Sequence, residues 1–416
     1  MLLFYNIGVR VYFFLVYVAS LFNKKARLWI NGRTKIIPNS HTTSIWFHFA
    51  SLGEFEQGRP VLEKIRALHP DELILLTFFS PSGYEIRKNT TLANSVYYLP
   101  LDTAKNAKTF IRAIEPKFAV FTKYEYWYHF FNEMHKQQIP LYIISGIFRP
   151  GQIFFRWYGK LHREILGFVT YFFVQDERSK QLLNKSGIFR VAVSGDTRFD
   201  RVWENALQPK NIPYIGEFKS GCKIFIAGST WPPDEKLIVT LVSRYKHLKF
   251  IIAPHEINEE KINNLLHLLP ANSAIRFSNL ASHPDYYHDS DITSYQTLII
   301  DNIGMLSSLY QYGNIAYIGG GFGAGIHNTL EAAAFGLPVI FGPNYGRFRE
   351  AHELIALQAG FSIFDEGSLK ETIDKLINDE IFYKNAGQAS RDYVKEHTGA
   401  TDFIVNFISG LKPTVV

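Results

Sequence analysis

The chain carries five glycines within positions 319–325, and His327, Asn328 and Glu331 follow them. Glycines let a backbone turn tightly and approach a ligand closely. We predict a helix from Asn328 to Phe335, whose N-terminus would present N–H groups and a positive dipole end to a phosphate. The Glu331 carboxylate, one turn into that helix, can accept both hydroxyl groups of a ribose. This stretch therefore favours a nucleotide-sugar site, with candidate residues Gly320, Gly321, Gly323, Gly325, His327, Asn328 and Glu331.

The order of these glycines argues against two common phosphate-binding loops. The stretch lacks the G-x-x-x-x-G-K-[ST] pattern of a P-loop. It also lacks a clean first-turn G-x-G-x-x-G with an acidic residue about 20 positions later, so a dinucleotide site is disfavoured. A glycine-rich turn that merely packs a helix on a sheet remains the alternative at this point.

Hydroxyl and imidazole side chains end two further predicted strands in the same half of the chain. Ser229 and Thr230 follow the first of these strands, and His255 follows the second. Such side chains cap a following helix or bind phosphate oxygens, and capping is the more frequent role. No metal site is expected, because the histidines and Glu331 lack a short metal-binding spacing and Cys222 is the single cysteine.

A carboxylate ends a strand in the first half of the chain. Glu54 follows the predicted strand Ser44 to Phe49 at the point where a helix begins. It can act as a general base on an acceptor hydroxyl, or it can simply interact with the helix dipole, and position alone does not decide between the two. The next predicted strand, Leu73 to Phe78, is closed by Ser80-Pro81-Ser82-Gly83.

Strands and helices that alternate must position these residues. Short apolar runs alternate with helical stretches from Ser44 to Ser194 and again from Lys223 to Phe341. This alternation indicates parallel sheets covered on both faces. The stretch 206–220 loses the pattern and contains Pro209 and Pro213, as a linker does. We predict an α/β protein of two Rossmann-like domains that face a cleft, with ligands outside the carboxyl ends of the strands.

Composition narrows the classes of partner. With 416 residues, two domains are the expectation, and 47% hydrophobic with 20% charged residues is typical of a globular protein. The net charge of +6 favours anionic partners. The chain has no basic run of the nucleic-acid-binding type, so we expect lipid and phosphate partners and no nucleic acid. The single cysteine excludes an intramolecular disulfide.

The N-terminal segment is apolar and aromatic from Leu2 to Phe22, and Lys24, Lys25 and Arg27 follow it. A signal peptide has its charges mainly before the apolar stretch, which is not the order here. Arg10 would be costly in mid-bilayer, so we expect a helix in the cytoplasmic leaflet of an anionic membrane, held by the basic cluster. An amphipathic core helix is the alternative.

Five motifs occur in one order along the chain and are specific in combination. They are Trp46-x-His48-x-Ala50-Ser51-x-Gly53-Glu54, Gly228-Ser229-Thr230, Asp301-x-x-Gly304-x-Leu306, Gly319-Gly320 and His327-Asn328-x-Leu330-Glu331. Together they resemble the 3-deoxy-D-manno-octulosonic acid (Kdo) transferases of lipopolysaccharide synthesis. The resemblance covers nearly the whole chain, including the apolar N-terminus. One departure is Pro254-His255-Glu256, where many members of that family have Pro-Arg-His.

The resemblance implies an inverting GT-B glycosyltransferase that moves Kdo from CMP-Kdo to a hydroxyl of a lipid A precursor, lipid IVA. It implies neither metal nor cofactor, and it implies action at the cytoplasmic face of the cell inner membrane. By the same resemblance, Glu54 is the general base, Glu331 holds the ribose, and the stretch from Gly320 to Asn328 receives the CMP phosphate. Ser229, Thr230 and His255 complete the donor site, and the acceptor site comprises Ser51, Gly53, Ser80 and Ser82.

These expectations assign a role to each segment of the chain. The segments are a membrane-associated segment at 1–27, an acceptor-binding domain at 28–205, a linker at 206–220 and a nucleotide-sugar donor-binding domain with C-terminal helices at 221–416. Two other functions stay open. One is another GT-B transferase that uses a UDP-sugar and a lipid-linked acceptor. The other is a non-enzymatic membrane lipid-binding protein on a GT-B scaffold.

Overall fold

The computed structural model describes residues 1–33, 43–282 and 289–411, apart from the side chains of residues 289 and 290. The chain forms two compact units: unit 1 combines Met1–Arg201 with Thr398–Val416, and unit 2 is Val202–His397. Each unit contains one seven-stranded sheet, and every strand pair in both sheets is parallel. The predicted α/β class with two Rossmann-like domains is confirmed.

The strands are short and are distributed evenly between the two units. In chain order they are β1 (Ser44–Phe49), β2 (Leu73–Phe78), β3 (Ser95–Tyr98), β4 (Pro116–Thr122), β5 (Leu141–Gly146), β6 (Tyr171–Val174), β7 (Val191–Val193), β8 (Lys223–Thr230), β9 (Leu248–Pro254), β10 (Ala274–Arg276), β11 (Thr297–Ile299), β12 (Ile315–Ile318), β13 (Val339–Phe341) and β14 (Gly360–Ser362). The sheet of unit 1 has the order β3-β2-β1-β4-β5-β6-β7, and that of unit 2 has the order β10-β11-β9-β8-β12-β13-β14.

Helices connect the strands and cover both faces of the sheets. They are α1 (Leu2–Ser20), α2 (Lys24–Gly32), α3 (Leu52–Leu68), α4 (Pro81–Arg87), α5 (Ala104–Ile114), α6 (Tyr128–Lys136), α7 (Lys160–Gly167), α8 (Glu177–Lys185), α9 (Thr197–Leu207), α10 (Ile215–Lys219), α11 (Pro232–Arg244), α12 (Glu259–Leu268), α13 (Phe277–Ser282), α14 (Asp289–Ser294), α15 (Leu306–Leu309), α16 (Leu330–Ala334), α17 (Arg349–Ala356), α18 (Glu366–Asn378), α19 (Glu380–Glu396) and α20 (Ala400–Ile408). Two 3₁₀ turns lie at Ile153–Phe155 and Tyr310–Tyr312.

Strand β1 shows how the sequence produces a sheet that is buried on both faces. All six of its residues are buried. Trp46 packs against Phe110 and Phe121 on one face of the sheet, whereas Phe47 and Phe49 belong to a second core. Successive side chains of a strand point to opposite faces. The alternating side chains of this strand therefore pack into two cores, and neither face of the strand meets solvent.

The C-terminal helix α20 corrects the predicted domain assignment. We expected every residue from 221 onwards to belong to the donor-binding domain, but α20 packs in unit 1. The Asp200 carboxylate accepts hydrogen bonds from the backbone N–H groups of Gly399 and Thr401, at 2.6 and 2.7 Å, where the helix begins. Phe407 packs against Tyr171 with 4.3 Å between ring centroids. Apolar burial and a capped N-terminus therefore hold this helix on unit 1.

The predicted linker is partly helical. Helix α9 continues to Leu207, and α10 buries Ile215 and Phe218. Two apolar side chains in a five-residue helix are enough to pack it on unit 2, although the proline-rich composition gave no helical pattern. The segment is thus an ordered connection.

Helix α1 is the one helix in the described part of the chain that is long and apolar enough to cross a membrane by length and composition. Its outer surface carries exposed aromatic side chains such as Phe4 and Phe14. Arg27 donates hydrogen bonds of 3.2 Å to the carbonyl oxygens of Ser20 and Leu21, at the C-terminal end of the helix. Arg27 therefore caps α1, in addition to adding positive charge beside it.

Candidate active site

Each sheet has a topological switch point beside its first strand. In unit 1, β1 lies between β2 and β4, and in unit 2, β8 lies between β9 and β12. Ligands of open α/β sheets bind at such points, outside the carboxyl ends of the strands. The residues that follow β1 and β4, and those that follow β8 and β12, are therefore the candidate site residues.

Glu54 lies at the switch point of unit 1, in the first turn of α3. Its Oε2 accepts a hydrogen bond of 2.6 Å from the backbone N–H of Ala50. Burial raises the pKa of Glu54 to about 7; the Ala50 N–H opposes this shift, Glu125 adds to it and Lys123 opposes it. A carboxyl group with a pKa near 7 is half ionised at neutral pH, which suits a general base.

A hydrogen-bond network fixes the neighbouring Glu125. Its Oε2 accepts a bond of 2.8 Å from Trp127 Nε1 and lies 3.5 Å from His48 Nε2. On its other side, His48 Nδ1 lies 2.8 Å from Thr77 Oγ1, which accepts a bond from Trp46 Nε1. The Thr77 hydroxyl can therefore donate to Nδ1, which leaves the Nε2–H of His48 facing Glu125. Burial lowers the pKa of His48, so the imidazole is neutral.

The residues predicted to bind the acceptor lie at the same sheet edge. Ser51 is the N-cap of α3 and makes no side-chain capping bond, so its hydroxyl is available. The Ser80 N–H donates to the Ala50 carbonyl at 2.9 Å, and the Ser80 and Ser82 hydroxyl oxygens are 2.8 Å apart. Gly53 is exposed. Because Ala50 bonds to both Ser80 and Glu54, the structure brings these hydroxyl groups and the carboxylate together.

Basic side chains at this edge were missed by the sequence analysis. Burial raises the pKa of Tyr124, Arg149 lowers it, Glu54 raises it and Arg198 lowers it again. These interactions place both arginines within electrostatic range of the Glu54 edge, as Lys123 is. Each of the three basic residues follows soon after a strand of unit 1, which is the signal that the sequence offered.

A buried carboxylate holds the glycine loop of unit 2, and the sequence analysis also missed it. Asp234, in the first turn of α11, is fully buried. Its Oδ2 accepts bonds of 2.9 Å from the N–H groups of Trp231 and Gly320, and its Oδ1 accepts a bond of 2.7 Å from the Tyr317 hydroxyl. Asp234 therefore ties the end of β8 to the loop after β12. Asp234 lies three residues after the N-cap residue of α11, and this position in the sequence could have indicated a structural carboxylate.

The glycines after β12 are required for close approach and for backbone conformation. A Cβ at Gly319 would overlap the Ser229 carbonyl oxygen, and Gly320 has a φ of +91°. We expected this loop to present its N–H groups to a phosphate. The structure instead uses several of them internally, since Gly323 and Gly325 donate to the Gly320 carbonyl at 2.9 and 3.2 Å. The loop therefore stabilises its own shape before any ligand binds.

Three aromatic side chains form a stack beside the loop. The rings of His255 and His327 lie 4.2 Å apart, and those of His255 and Trp231 lie 4.9 Å apart. Trp231 Nε1 donates to His327 Nε2 at 3.0 Å. Burial lowers the pKa of His327, His255 lowers it further and Asp234 opposes the shift. A neutral His327 that accepts at Nε2 carries its proton on Nδ1 and can donate it to a ligand oxygen.

Glu331 lies near the glycine loop, but the helix that contains it is shorter than predicted. Helix α16 has five residues and begins at Leu330, because the loop conformation continues to Thr329. Asn328 Nδ2 donates to Glu331 Oε1 at 3.1 Å and fixes the carboxylate. Glu331 acts electrostatically on Tyr310, whose hydroxyl would overlap a Cβ placed at Gly228. Glu331 therefore lies near the end of β8.

The two hydroxyl residues after β8 have different surroundings. Thr230 is buried, and its Oγ1 donates to Glu235 Oε1 at 3.0 Å, so its side chain is committed to the protein. Ser229 is half-buried and has a φ of +53°. The Thr230 carbonyl accepts a bond of 2.9 Å from the His255 N–H. Ser229 is thus the hydroxyl that can meet a nucleotide, whereas we predicted both.

The expectation of no metal site stays a prediction. Over the ranges that the structure describes, no group of three or more His, Cys, Asp and Glu side chains is arranged to hold a metal ion. Chelation of the active protein tests this expectation directly.

Comparisons with known proteins extend the resemblance. Residues 25–201 match the family model described as 3-Deoxy-D-manno-octulosonic-acid transferase (kdotransferase). A "Bifunctional glycosyltransferase/methyltransferase" of Fusobacterium nucleatum is 24% identical over 85% of this chain and 55% of its own length. The chain therefore spans about half the length of that relative. A "3-deoxy-D-manno-octulosonic acid transferase" of Chlamydia trachomatis is 26% identical over 81% of this chain and 78% of its own length.

A solved structure supports the fold over both halves. The UDP-GlcNAc 2-epimerase from Neisseria meningitidis, bound to UDP-GlcNAc, has a TM-score of 0.60 at 15% identity and covers 88% of this chain and 100% of its own. At that identity the match shows the fold alone, a GT-B-like pair of Rossmann-like domains. Over residues 25–201 and across most of the curated relatives' alignments, the chain is therefore similar to the Kdo transferases, which are glycosyltransferases.

Proposed function

We propose that this protein transfers Kdo from CMP-Kdo to a hydroxyl group of a lipid A precursor, with inversion at the anomeric carbon. The observation that carries the proposal is Glu54, a half-buried carboxyl group with a pKa about 7 at the switch point of unit 1. The Kdo transferases among the relatives supply the substrate class.

In the proposed reaction, Glu54 takes the proton of the acceptor hydroxyl while that oxygen attacks the anomeric carbon of Kdo. The bond between this carbon and the phosphate oxygen of CMP breaks, and CMP leaves with the bonding electrons. The proton stays on Glu54 until solvent removes it. Only the ionised carboxylate can accept a proton, so the rate follows the ionised fraction of Glu54.

Unit 2 supplies the groups that we propose for the donor. Glu331, fixed by Asn328, accepts the ribose hydroxyl groups of CMP. The Nδ1–H of neutral His327 and the Ser229 hydroxyl donate to phosphate oxygens, where negative charge develops as the bond breaks. Donors that are already oriented stabilise this charge without reorganisation during the reaction.

The basic side chains of unit 1 suit an anionic acceptor. We infer that Lys123, Arg149 and Arg198 attract and orient the phosphorylated head of the lipid A precursor. Tyr124 interacts electrostatically with both arginines and with Glu54, so an anionic head bound there would lie near the base. The hydroxyl groups of Ser51, Ser80 and Ser82 can complete its hydrogen bonds.

A membrane-bound acceptor requires contact with a lipid surface, and we propose that α1 and the exposed Lys24 and Lys25 make it at the cytoplasmic face of the inner membrane. Each basic residue near an anionic leaflet contributes about 1 kcal/mol. Changing Lys24 and Lys25 to Gln should weaken binding to anionic vesicles, most strongly at low salt. Flotation measures the effect, and the same changes at the exposed Lys105 and Lys108 are the control. An equal loss of vesicle binding in the Lys105 and Lys108 control would reject a specific role of Lys24 and Lys25.

Mass spectrometry tests the proposed reaction. The protein is incubated with CMP-Kdo and a tetraacylated lipid A precursor, with and without excess EDTA. We expect an acceptor product larger by one or more Kdo residues in both samples. Loss of product with EDTA and recovery with magnesium would show that a metal stabilises the phosphate. No product from CMP-Kdo, together with thermal stabilisation by UDP and not by CMP, would favour the UDP-sugar transferase.

A further inference from the structure

Unit 1 contains an apolar groove between α1 and the carboxyl ends of its strands. Its volume is about 440 Å³. Side chains on one face of α1 form one wall, because residues three and four positions apart share a face. The residues that line the groove and enter the argument are Tyr5, Gly8, Tyr12, Phe79, Asp102 and Trp127.

The carboxylate in the lining is occupied by the protein itself. Asp102 Oδ2 accepts bonds from the Tyr5 hydroxyl at 2.5 Å and from the His129 N–H at 3.1 Å. Its Oδ1 accepts a bond of 3.1 Å from the Phe130 N–H. Asp102 thus docks α1 and satisfies the first N–H groups of α6. The surface left for a ligand is aromatic and aliphatic, which suits a hydrocarbon.

The groove runs along a helix whose outer surface is also apolar. Leu3, Phe4 and Phe14 are 68%, 76% and 62% exposed on α1. Exposed apolar residues that adjoin one another mark contact with a membrane or a partner. The groove and these exposed apolar side chains therefore lie on the same helix, so a hydrocarbon chain of a lipid leaflet at α1 is close to the groove.

The other wall of the groove leads directly to the proposed acceptor site. Phe79 immediately precedes Ser80 in sequence, and it stacks on Trp127 with 5.1 Å between ring centroids. Trp127 donates in turn to Glu125, which acts electrostatically on Glu54. A molecule with its apolar chain in the groove can therefore extend its polar end to the edge that carries the base.

We propose that this groove binds one fatty acyl chain of the acceptor lipid and thereby places the polar head of the acceptor beside Glu54. The inference rests on the proposed function and adds a subsite for the acceptor to it. Aromatic side chains on both walls and an apolar entry favour a single chain of the substrate itself over a polar ligand.

Gly8 offers a way to fill the groove without disturbing the fold. A Cβ at Gly8 would meet no other heavy atom within 4 Å, so a larger side chain has open space in front of it. Leucine is also a better helix former than glycine. In Gly8→Leu we expect the KM for a tetraacylated acceptor to rise about tenfold, as when contact with about two methylene groups is lost. We expect kcat and binding to anionic vesicles to stay unchanged.

Two matched variants separate occupation of the groove from other effects. Gly8→Ala improves the helix without filling the groove, and Val11→Leu adds bulk on α1 outside the lining. Both should keep KM within about twofold of the unmodified protein. A deacylated acceptor should show no difference between Gly8→Leu and Gly8→Ala.

Three other results would each reject a different part of the proposal. An unchanged KM in Gly8→Leu, while the unmodified protein transfers Kdo, would remove the groove and leave the proposed function. A rise in KM together with an equal loss of vesicle binding would assign the groove to membrane lipid in place of the acceptor. Absence of any transfer by the unmodified protein would remove the proposed function, and this subsite with it.

Discussion

The two units place a carboxylate at corresponding points and hold it in different ways. Glu54 lies in the first turn of the helix after β1, and Asp234 lies in the first turn of the helix after β8. Within the described residues, Glu54 accepts one hydrogen bond, from the Ala50 N–H, and Asp234 accepts three. Asp234 is fully buried, whereas Glu54 is half-buried.

The number of hydrogen-bond donors around each carboxylate gives these two similar positions separate roles. Three donors stabilise a carboxylate and engage its lone pairs, so Asp234 serves the structure of the glycine loop. One donor leaves the other Glu54 oxygen able to accept a proton, and burial holds its pKa about 7. The number of hydrogen bonds that a first-turn carboxylate accepts therefore indicates whether its role is structural or catalytic. Variants at both positions test these two roles.

The largest expected effect is on the rate in Glu54→Gln. Loss of a general base should lower the rate by about 10²–10⁴-fold while CMP binding persists. Glu56→Gln, which removes a carboxylate two positions away on the same helix, is the control. Single-turnover kinetics with CMP-Kdo measure both. Near-normal turnover in Glu54→Gln would reject Glu54 as the base.

The same variant should also change stability with pH. The folded-state pKa of Glu54 is raised from 4.5 to about 7, so the folded protein binds more protons than the unfolded chain between these values. Ionisation of Glu54 therefore destabilises the fold as pH rises through this window. Glu54→Gln should be more stable than the unmodified protein at pH 8, by about 1–3 kcal/mol, and equally stable at pH 4. Denaturant titration at the two pH values measures the difference.

The next largest effect is expected in Asp234→Asn. The side-chain amide of asparagine would turn its own N–H groups towards one or two of the donors whose hydrogen bonds Asp234 now accepts. We expect this to lower the free energy of unfolding by about 2–4 kcal/mol. The loop should lose its shape and CMP its binding site. Asp374, which accepts a bond of 2.6 Å from the Tyr245 hydroxyl, is the matched position outside the loop. Equal losses of CMP binding in Asp374→Asn and Asp234→Asn would reject the role of Asp234 in holding the glycine loop.

A smaller effect is expected at the ribose. Glu331→Ala should weaken CMP binding by about 1.5–3 kcal/mol, the scale of hydrogen bonds to a charged group. Asn328→Ala removes the bond that Asn328 donates to Glu331 and the bond that it accepts from the Leu330 N–H, and it should cost about 0.5–1.5 kcal/mol of CMP binding. Calorimetry with CMP gives both values. An unchanged affinity in Glu331→Ala would place the ribose elsewhere.

The smallest effect is a pair of opposite shifts in the pH dependence of the rate. Glu125 raises the pKa of Glu54 and Lys123 lowers it. Glu125→Gln should therefore move the acid limb of the profile to lower pH, and Lys123→Gln should move it to higher pH. Shifts in the same direction would show that these residues act on the rate by another route.

Much of the fold was predictable from sequence because the strands are short, apolar and buried on both faces. Ser44–Phe49 and Leu73–Phe78 were predicted with their observed bounds. Strand β14 was missed, because Gly360–Ser362 has three residues and begins with glycine. The place of α20 was also missed, since its cap Asp200 lies about 200 positions earlier and long-range pairing leaves no local signal.

The candidate site was predictable in its motifs and less so in its hydrogen bonds. Glu54, Glu331 and the glycines stand at strand ends, which a βα pattern reveals. Thr230 was assigned to the nucleotide, but its bond to Glu235 became evident only from packing. Asp234 acts on Gly320, 86 positions away, so its role required the fold. Arg149 and Arg198 follow different strands, and both act on Tyr124 only when the sheet has formed.

The most direct test of the account is the pH profile of kcat/KM for Kdo transfer by the unmodified protein, because this profile reports groups of the free enzyme. We predict an acid limb with an apparent pKa about 7 that follows the ionisation of Glu54. The limb should disappear from the residual activity of Glu54→Gln. A flat profile from about pH 5.5 to 8.5, or an acid limb that survives in Glu54→Gln, would contradict Glu54 as the general base.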